Sequence, residues 1–248
     1  MPGGYFDGYI DQLVILFNRA KSADEILVDA TLVAYYSMDC LSYSSFDSGP
    51  NQIHGMTNGL SNTDGGRIGQ SYLFNTNSSY FQATGFVLLG QSYRPFSFAL
   101  WIRPIISITN GGTILHVSQY INGTGWCAQF IGLSSLGEIV IRVPSVSGTV
   151  EIIGPILKIN QWVHIVLTYS RIHGLSLYVN GLLYKQSTNG FINAQSGVPM
   201  TVTLGQPLQG SFCEYGSIQT GFYRGEIDEF YIYSRELSQA DVTILANP

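Results

Sequence analysis

Short apolar runs, several of which alternate with polar residues, recur along the chain between glycine, proline and asparagine residues. Alternation with a period of two is typical of a strand that is buried on one face. The clearest runs cover residues 96–102, 138–143, 162–169 and 175–179. Asn180 and Gly181 separate two such runs and predict a tight hairpin, because both residue types tolerate positive φ. Long amphipathic helices are missing from the pattern, so it predicts an all-β protein built as an antiparallel two-sheet sandwich.

One sequence pattern occurs twice in the chain. Residues 8–16 are similar to residues 225–233, and residues 18–26 are similar to residues 234–242. Each copy predicts a strand and then a short helical turn that begins after a serine N-cap and carries acidic residues in its first turn. The stretch between the copies is not duplicated. The pattern therefore predicts one closing element at the end of a domain and a second closing element that lies outside that domain.

The composition narrows the class of protein. Of the 248 residues, 45% are hydrophobic and 13% aromatic, which is enough for a packed core and excludes a disordered chain. Lys and Arg total 11 against 16 Asp and Glu, a net charge of −5. Without a basic run the chain cannot neutralise phosphates, so nucleic acid is not an expected partner. No apolar stretch approaches the roughly 20 residues of a membrane helix, so we expect a soluble protein without membrane insertion.

The cysteines and two glycosylation sequons bear on the compartment. The sequons lie at Asn77 and Asn122, although such tripeptides also arise by chance. In a secreted protein Cys127 and Cys213 could form a disulfide worth about 4 kcal/mol by the chain-entropy estimate, which would leave Cys40 buried or reserved for another chain. Three reduced core cysteines are the alternative. The first residues do not form a signal peptide, so either a signal was removed or the sequence is a segment of a larger protein. We expect a secreted, extracellular glycoprotein.

Six motifs, in order along the chain, carry a resemblance to a known family. They are residues 33–39 (VAYYSMD), 47–55 (DSGPN leading to HG), 72–75 (YLFN), 96–104 (FSFALWIRP), 162–164 (WVH) with 177–181 (LYVNG), and 225–238 (GEIDEFYIYSRELS). From about Thr31 to Pro248 the sequence resembles a laminin G-like jelly-roll domain of the concanavalin A-like lectin/glucanase superfamily. The resemblance implies two curved antiparallel sheets packed face to face, with the first and last strands side by side.

The same resemblance divides the chain into two parts. Residues 31–248 form the laminin G-like domain, and residues 1–30 resemble the closing strand and short helix of a preceding like domain. The extra strand either lies on its own domain as an additional edge strand or pairs with a neighbouring chain by β-augmentation, which would build dimers or filaments. We expect the second, self-association. The apolar residues expected to take part are Leu13, Val14, Ile15, Leu16 and Phe17.

The superfamily includes glycoside hydrolases, whose catalytic pair has a recognisable sequence pattern. Retaining members carry Glu-x-Asp-x-Glu on one strand, with the outer carboxylates about 5 Å apart. In the last strand the final carboxylate is required at Phe230, or at Tyr231 if the strand contains one bulge residue, and neither residue is acidic. Strand alternation also places Glu229 on the face opposite Glu226 and Asp228. With no nucleophile elbow, zinc-spaced His or Cys pair, or phosphate loop in the sequence, we expect no catalytic residues and no enzyme activity.

The resemblance also implies a cation site. Asp47 and Asn51 in one loop, and Asp228 near the start of the last strand, are positions where related domains hold a metal, so calcium is the expected cofactor. The alternative is that Asp47 forms an Asx-turn and that Asp228 accepts bonds from backbone amides near the strand end.

Aromatic side chains in loops are the candidates for ligand binding, because they can stack on sugars beside polar groups. The candidates are Tyr120, Trp126, Tyr215 and Tyr223. For each of them the alternative is a place in the core, where most aromatic residues of a sandwich lie.

Taken together, the sequence predicts a non-catalytic extracellular module for cell adhesion, or a structural building block that self-associates with neighbouring copies or tandem like domains. The alternative is a lectin-like module that binds a glycan or an extracellular protein with the help of calcium.

Overall fold

The computed structural model describes residues 8–9, 19–39, 45–106, 112–145, 148–187, 194, 197–210, 213 and 216–248. Within these ranges the chain forms fifteen strands and two short α-helices. In chain order they are α1 (Ala23–Thr31), β1 (Leu32–Tyr36), β2 (Gly55–Asn58), β3 (Ser61–Asp64), β4 (Gln70–Phe74), β5 (Tyr80–Phe86), β6 (Phe96–Pro104), β7 (Gly112–Ser118), β8 (Cys127–Leu133), β9 (Glu138–Ser145), β10 (Gly148–Ile156), β11 (Val163–Ser170), β12 (Gly174–Val179), β13 (Leu182–Ser187), β14 (Met200–Leu204), β15 (Gly225–Tyr233) and α2 (Gln239–Leu245).

The strands form two antiparallel sheets, which confirms the predicted sandwich. The first sheet has the order β13-β12-β11-β6-β15-β4-β3, and β1 pairs with β15 on the same side as β4. The second sheet has the order β10-β9-β8-β7-β14-β5-β2. The first and last strands lie side by side, as the resemblance implied, since Tyr36 pairs with Phe230 and Leu32 with Tyr233.

The core lies between the two sheets and is rich in aromatic side chains. Phe98 of β6 contacts Phe130 of β8 with 5.6 Å between ring centroids, and Phe230 of β15 with 6.3 Å. All three rings are essentially fully buried. Alternate residues of each strand point to this layer, so the apolar positions of the period-two pattern meet there.

The predicted hairpin forms between β12 and β13. Asn180 has φ 50° and Gly181 has φ 83°, the positive values that an Asn-Gly turn requires. The peptide N–H of His164 on the adjacent strand β11 donates to the Asn180 side-chain oxygen (2.9 Å), which holds the turn against the sheet.

Both predicted helices begin at serine capping boxes. Ser22 caps α1 through Glu25, and Ser238 caps α2 through Asp241. In each box the serine hydroxyl accepts from the N–H of the acidic residue, and its carboxylate accepts from the serine N–H. No helix in the described ranges is long and apolar enough to span a membrane.

A second, smaller apolar cluster lies on the outer face of the first sheet. Its buried members come from β6, β11, β12, β15 and the residues around α2, and both helices pack on it. The members are Ala99, Val166, Tyr178, Tyr233, Leu237 and Val242, with Val28, Leu32, Tyr231 and Leu245 packed against them. Residues 13–17 and Cys40 lie outside the described residues.

Candidate functional site

Two carboxylates of β15 lie on the outer face of the first sheet and are fully engaged by the protein. Glu226 accepts a hydrogen bond from the Thr63 hydroxyl (2.9 Å) and forms an ion pair with Arg103. Asp228 accepts from the peptide N–H of Ile68 (3.0 Å). Both side chains are buried, so their partners replace the water that a carboxylate otherwise needs.

Glu229 lies on the same outer face, which corrects the expectation from strand alternation. Its φ is 52°, and the pairing of β15 with β6 shifts register between Asp228 and Tyr231, as in a β-bulge. The Glu229 carboxylate accepts from the hydroxyl groups of Tyr35 (2.9 Å) and Tyr231 (2.7 Å), whose rings stack with centroids 4.3 Å apart. A bulge adds one residue to the strand, so the alternation of faces restarts after it.

Burial sets the electrostatics of these acids. It raises the pKa of Asp228 to about 7, and the nearby Glu229 carboxylate adds to this rise while bonds from backbone amides oppose it. Burial also raises the pKa of Glu229, against the lowering effect of its two tyrosine partners. Only 4% or less of Glu226, Asp228 and Glu229 is exposed, so a sugar ring cannot approach them in this structure.

Beside these acids the same face carries a closed aromatic group. The ring of His164 lies 5.0 Å from that of Trp101, and the guanidinium carbon of Arg67 lies 4.5 Å above the Trp101 ring. Burial lowers the pKa of His164 to about 4, and the positive charge of Arg67 adds to this. His164 is therefore a neutral packing residue at neutral pH.

The loop that was expected to hold calcium covers the free edge of β1. Asp47 Oδ1 accepts from the N–H groups of Tyr35 (2.8 Å) and Gly49 (2.7 Å), and the second bond is an Asx-turn. The Asn51 amide donates to the carbonyl of Val33 (2.9 Å). These bonds are the structural role that the sequence left open for Asp47, and Asp228 likewise bonds backbone amides; calcium binding stays a prediction.

The outer face of the second sheet is polar, buried and covered by loops. Its polar side chains are Gln82, Thr113, His116, Ser118, Gln129, Arg142, Thr201 and Thr203. The loop of residues 119–126 covers one part: Gln82 donates to the carbonyl of Ile121 (2.8 Å), and Ser118 donates to the carbonyl of Tyr120 (2.9 Å). His116 Nε2 lies 3.1 Å from the carbonyl of Gly123.

A disulfide fixes the second covering segment. Cys127 at the start of β8 is bonded to Cys213, with 5.6 Å between their Cα atoms, which confirms the predicted pair. Arg142 of β9 donates to the carbonyls of Gln129 (2.8 Å) and Cys213 (2.9 Å). The disulfide and Arg142 therefore hold residue 213 against the sheet from two sides.

The same disulfide accounts for the one group of three potential metal ligands found among the described residues. His116, Cys127 and Cys213 lie within 4.8 Å of one another. Both sulfur atoms are used by the disulfide, so the oxidised protein cannot offer them as thiolates. Burial lowers the pKa of His116 to about 4, which keeps its imidazole neutral.

The loop of residues 119–126 presents one of the predicted ligand-binding aromatics to solvent. Tyr120 is 54% exposed, and its neighbour Ile121 is 66% exposed. Trp126 is partly buried against the core. Tyr223 corrects the expectation of an exposed platform, because it is 1% exposed inside the core. Tyr215 lies outside the described residues.

Both sequons are on the surface. Asn77 is exposed, and so is Asn122 in the loop beside Tyr120. The Asn122 side-chain oxygen accepts from the N–H (3.1 Å) and hydroxyl (2.7 Å) of Thr124. Glycosylation at either position stays a prediction.

The sequence pattern did not reveal two residues near the covering segments. Ile121 is exposed beside Tyr120 in the loop of residues 119–126, and Arg142 is a buried cation that donates to the carbonyl of Cys213. Arg142 interrupts an otherwise apolar strand, and this interruption was the available signal. Ile121 carries no signal, because a single apolar residue in a loop is common.

Comparison with known proteins places the chain in a family. Residues 75–243 match the Laminin_G_3 family, described as the concanavalin A-like lectin/glucanases superfamily. The match covers more than half of the sequence, so the chain belongs to this family and its sandwich is a concanavalin A-like jelly roll. No curated protein matches the sequence.

Solved structures share the fold at low sequence identity. The binding domain of Paraclostridial Mosquitocidal Protein 1 is 21% identical with a TM-score of 0.62, over 89% of this chain and 52% of that one. The binding domain of Botulinum neurotoxin DC, solved with rat synaptotagmin II, is 18% identical with a TM-score of 0.62, over 89% and 52%. This chain thus spans about half the length of these toxin domains.

A third structure is matched over nearly its whole length. Domain 4 of AbnA, a GH43 extracellular arabinanase from Geobacillus stearothermophilus solved with arabinotriose, is 20% identical with a TM-score of 0.56, over 87% of this chain and 98% of that one. The two toxin structures are named as binding domains, and the AbnA domain was solved with a bound sugar.

Proposed function

We propose that this protein is a non-catalytic extracellular binding module that takes a carbohydrate at the loop of residues 119–126. The observation that carries the proposal is the exposed ring of Tyr120 on a loop that the second sheet holds from below. An exposed ring beside hydrogen-bonding groups is the usual platform for a sugar, because the apolar face of a pyranose or furanose stacks on it.

The loop is held rigidly, which lowers the entropic cost of binding. Gln119 N–H donates to the carbonyl of Trp126 (2.8 Å), and Tyr120 N–H donates to the carbonyl of Thr124 (3.0 Å). On the neighbouring segment Gln209 N–H donates to the carbonyl of Asn122 (3.0 Å). The backbone that carries Tyr120 is therefore hydrogen-bonded both within the loop and to the neighbouring segment at Gln209.

Polar groups suited to sugar hydroxyls surround the ring. Asn122 and Gln209 are exposed, and their side-chain amides are 3.4 Å apart. Between them they offer donors and acceptors that can turn to a ligand. The complex of the AbnA domain with arabinotriose supports a furanose or pyranose oligosaccharide as the ligand class, and the neurotoxin complex with synaptotagmin makes a protein ligand the alternative.

The absence of catalysis is part of the proposal and rests on the β15 acids. A retaining glycosidase needs two carboxylates that reach the scissile bond. Here Glu226 is paired with Arg103, and Glu229 is held by two tyrosine hydroxyls. Neither group reaches the surface, so we expect no hydrolysis of arabinan or β-glucan by the full chain.

The test is binding of oligosaccharides to Tyr120→Ala. We expect arabinotriose and a glycan array to show at least one ligand whose affinity falls severalfold, up to roughly tenfold, in this variant, since stacking on one aromatic ring contributes about 0.5–1.5 kcal/mol. Tyr184→Ala is the matched control, because Tyr184 is 51% exposed but lies on the edge strand β13. Equal binding by both variants would contradict the proposed site.

Two further arms of the same experiment separate the alternatives. Repeating the titration in calcium and in a chelator checks the predicted cofactor, and Asp47→Asn reports on its predicted ligand. If the ligand is a protein instead of a glycan, Tyr120→Ala should abolish its binding, and no oligosaccharide should compete with it. Adhesion and self-association through residues 13–17 stay predictions, because those residues lie outside the described chain.

A further inference from the structure

The two closing helices repeat each other beyond their caps. In α1, Arg19 lies three residues before the cap and bonds the N3 carboxylate of Glu25 at 2.8 Å. In α2, Arg235 lies at the same distance before the cap and bonds Asp241 at 2.7 Å. The helical half of the sequence repeat therefore folds into the same local structure twice, and helix positions can be compared one to one from the caps.

That comparison shows two apolar positions with opposite exposure. At N4, the fourth residue of the helix, Val242 of α2 is fully buried in the outer apolar cluster, whereas Ile26 of α1 is 55% exposed. At N6 the order is reversed: Val28 of α1 packs against the cluster, whereas Ile244 of α2 is 71% exposed. Each helix thus packs one of the two positions on the cluster, with Val242 fully buried and Val28 partly buried, and leaves the other position open.

The position that packs on the cluster depends on whether the helix precedes or follows the strands of the domain, since both helices lie at the end of the sheet where Leu32 pairs with Tyr233. The helix α2 follows the last strand and packs through N4. The helix α1 precedes the first strand, with β1 beginning at Leu32 directly after Thr31, and packs through N6. Thr31 accepts hydrogen bonds from the N–H of Ser234 (2.8 Å) and from Arg235 (3.0 Å), so α1 is attached to this domain without a flexible linker.

We propose that a closing helix lies between two consecutive domains of this fold in one chain, packing through N4 on the domain that it ends and through N6 on the domain that follows. The occupant of the Ile26 face is then a preceding domain of this kind, and the occupant of the Ile244 face is a following one. Ile244 is largely exposed at the edge of a cleft between α2 and α1, and this exposure leaves its side chain open to an incoming domain.

Continuity with the contacts already present supports this occupant over an unrelated one. The helix α1 contacts the domain after it through Val28 and Thr31, and α2 contacts the domain before it through Val242. The two copies differ at N7, where Leu245 packs on its own domain and Asp29 is ion-paired with Lys21. A preceding domain would therefore contact α1, which is more polar than α2 at N7.

The test is a fusion that places α2 between two domains. Residues 1–247 are followed directly by residues 32–248, so that Asn247, at N9, takes the place of Thr31, at N9 of α1. The first unit is the full chain up to residue 247. The control fusion carries a Gly-Ser spacer of about 15 residues at the junction, which behaves as a flexible coil.

We expect the direct fusion to have one fixed shape in small-angle X-ray scattering and the spaced fusion to show independent domains. Amide exchange in α2 should slow roughly tenfold in the direct fusion relative to the single chain, because opening the helix then breaks contacts to two domains.

Ile244→Asp in the direct fusion should lower Tm by roughly 3 °C or more and restore the flexible scattering profile. Ile26→Asp is the matched control: the same change on α1, which remains at the exposed start of the fusion, should leave both readouts unchanged. In the single chain neither change should move Tm.

The proposal is overturned if the direct fusion tumbles like the spaced one, or if Ile244→Asp and Ile26→Asp have equal effects in it. Concentration-dependent dimers of the single chain that Ile26→Asp abolishes would also overturn it, since the occupant would then be a separate copy. If the direct fusion does not fold, both readouts are taken on the direct fusion with Asn247→Thr, which restores at the junction the threonine that Ser234 and Arg235 contact in the single chain. Independent domains in that variant would overturn the proposal.

Discussion

The outer face of each sheet carries a patch of buried polar side chains, but different groups bury the two patches. On the first sheet, Glu226, Asp228 and Glu229 are satisfied by side chains and amides of neighbouring strands and of the loop of residues 65–69. On the second sheet, neutral side chains such as Gln82 donate to the backbone of covering loops. The buried groups of the first face are carboxylic acids, whereas a disulfide holds part of the cover of the second face in place.

This difference explains why the proposed ligand site lies over the second sheet. The acids of the first face already have protein partners and are almost fully buried, so they offer no free group to a ligand. A covering loop that bonds the sheet through its backbone keeps its own side chains free to point outward. Tyr120 is exposed for this reason, since its carbonyl accepts from Ser118 while its ring faces solvent.

The largest expected effect is loss of the clamp on the second face. Replacing both Cys127 and Cys213 with Ser should lower the free energy of unfolding by about 4 kcal/mol, because the disulfide closes a loop with a sequence separation of 86. Denaturant unfolding measures this, and a reducing agent should destabilise the wild type while leaving the double variant unchanged. A loss below about 1 kcal/mol would show that the sheet, not the disulfide, holds the loops.

A pH-dependent effect of intermediate size is expected on the first face. Asp228 has a pKa of about 7 in the folded protein against an ordinary value near 4, so the folded chain keeps a proton that the unfolded chain releases. Its contribution to stability is therefore present at low pH and is lost as pH rises from about 4 to 7. His116 and His164, whose pKa values are lowered to about 4, have the opposite slope below pH 6.5.

Comparing Asp228→Asn with the wild type removes the histidine contribution. We expect the variant to gain about 2 kcal/mol relative to the wild type between pH 5 and pH 8, measured by urea unfolding at each pH. Asp64→Asn, at an exposed carboxylate of β3, should show no such gain. Parallel stability curves for the wild type and Asp228→Asn would contradict the raised pKa.

The smallest expected effect concerns the partners of Glu229. Tyr35→Phe removes the hydroxyl that lies 2.9 and 3.0 Å from the two carboxylate oxygens and leaves the bond from Tyr231. The free energy of unfolding should fall by about 1–2 kcal/mol, because a buried acceptor loses one partner. Tyr184→Phe, at an exposed hydroxyl, is the control and should have no effect in the same unfolding assay.

Local patterns in the sequence were sufficient for the strands and their turns. The runs at residues 96–102 and 162–169 are strands β6 and β11, and Asn180-Gly181 forms the hairpin, because alternation and φ preference act between adjacent residues. The serine caps of both helices were predictable for the same reason. The pairing of Cys127 with Cys213 left an alternative open, since three cysteines allow several outcomes until the fold brings two together.

The candidate site depended on contacts that the sequence does not record. Glu229 was assigned to the wrong face because one bulge residue with positive φ reverses alternation, and an isolated Glu gives no sign of a bulge. Tyr223 and Tyr120 are both loop-type aromatics by sequence, yet one fills the core and the other is exposed.

By itself, the sequence determined the all-β class, the strand positions, the repeated closing element and the family, because these follow from periodicity and short motifs. Only the tertiary structure decided which of two equivalent apolar helix positions packs on the sheet: Val242, fully buried, in one copy and Val28, partly buried, in the other. The physical reason is that burial is set by the surface that a helix meets. Two helices with the same type of cap therefore differ, because one precedes the first strand and the other follows the last strand at the same end of the sheet.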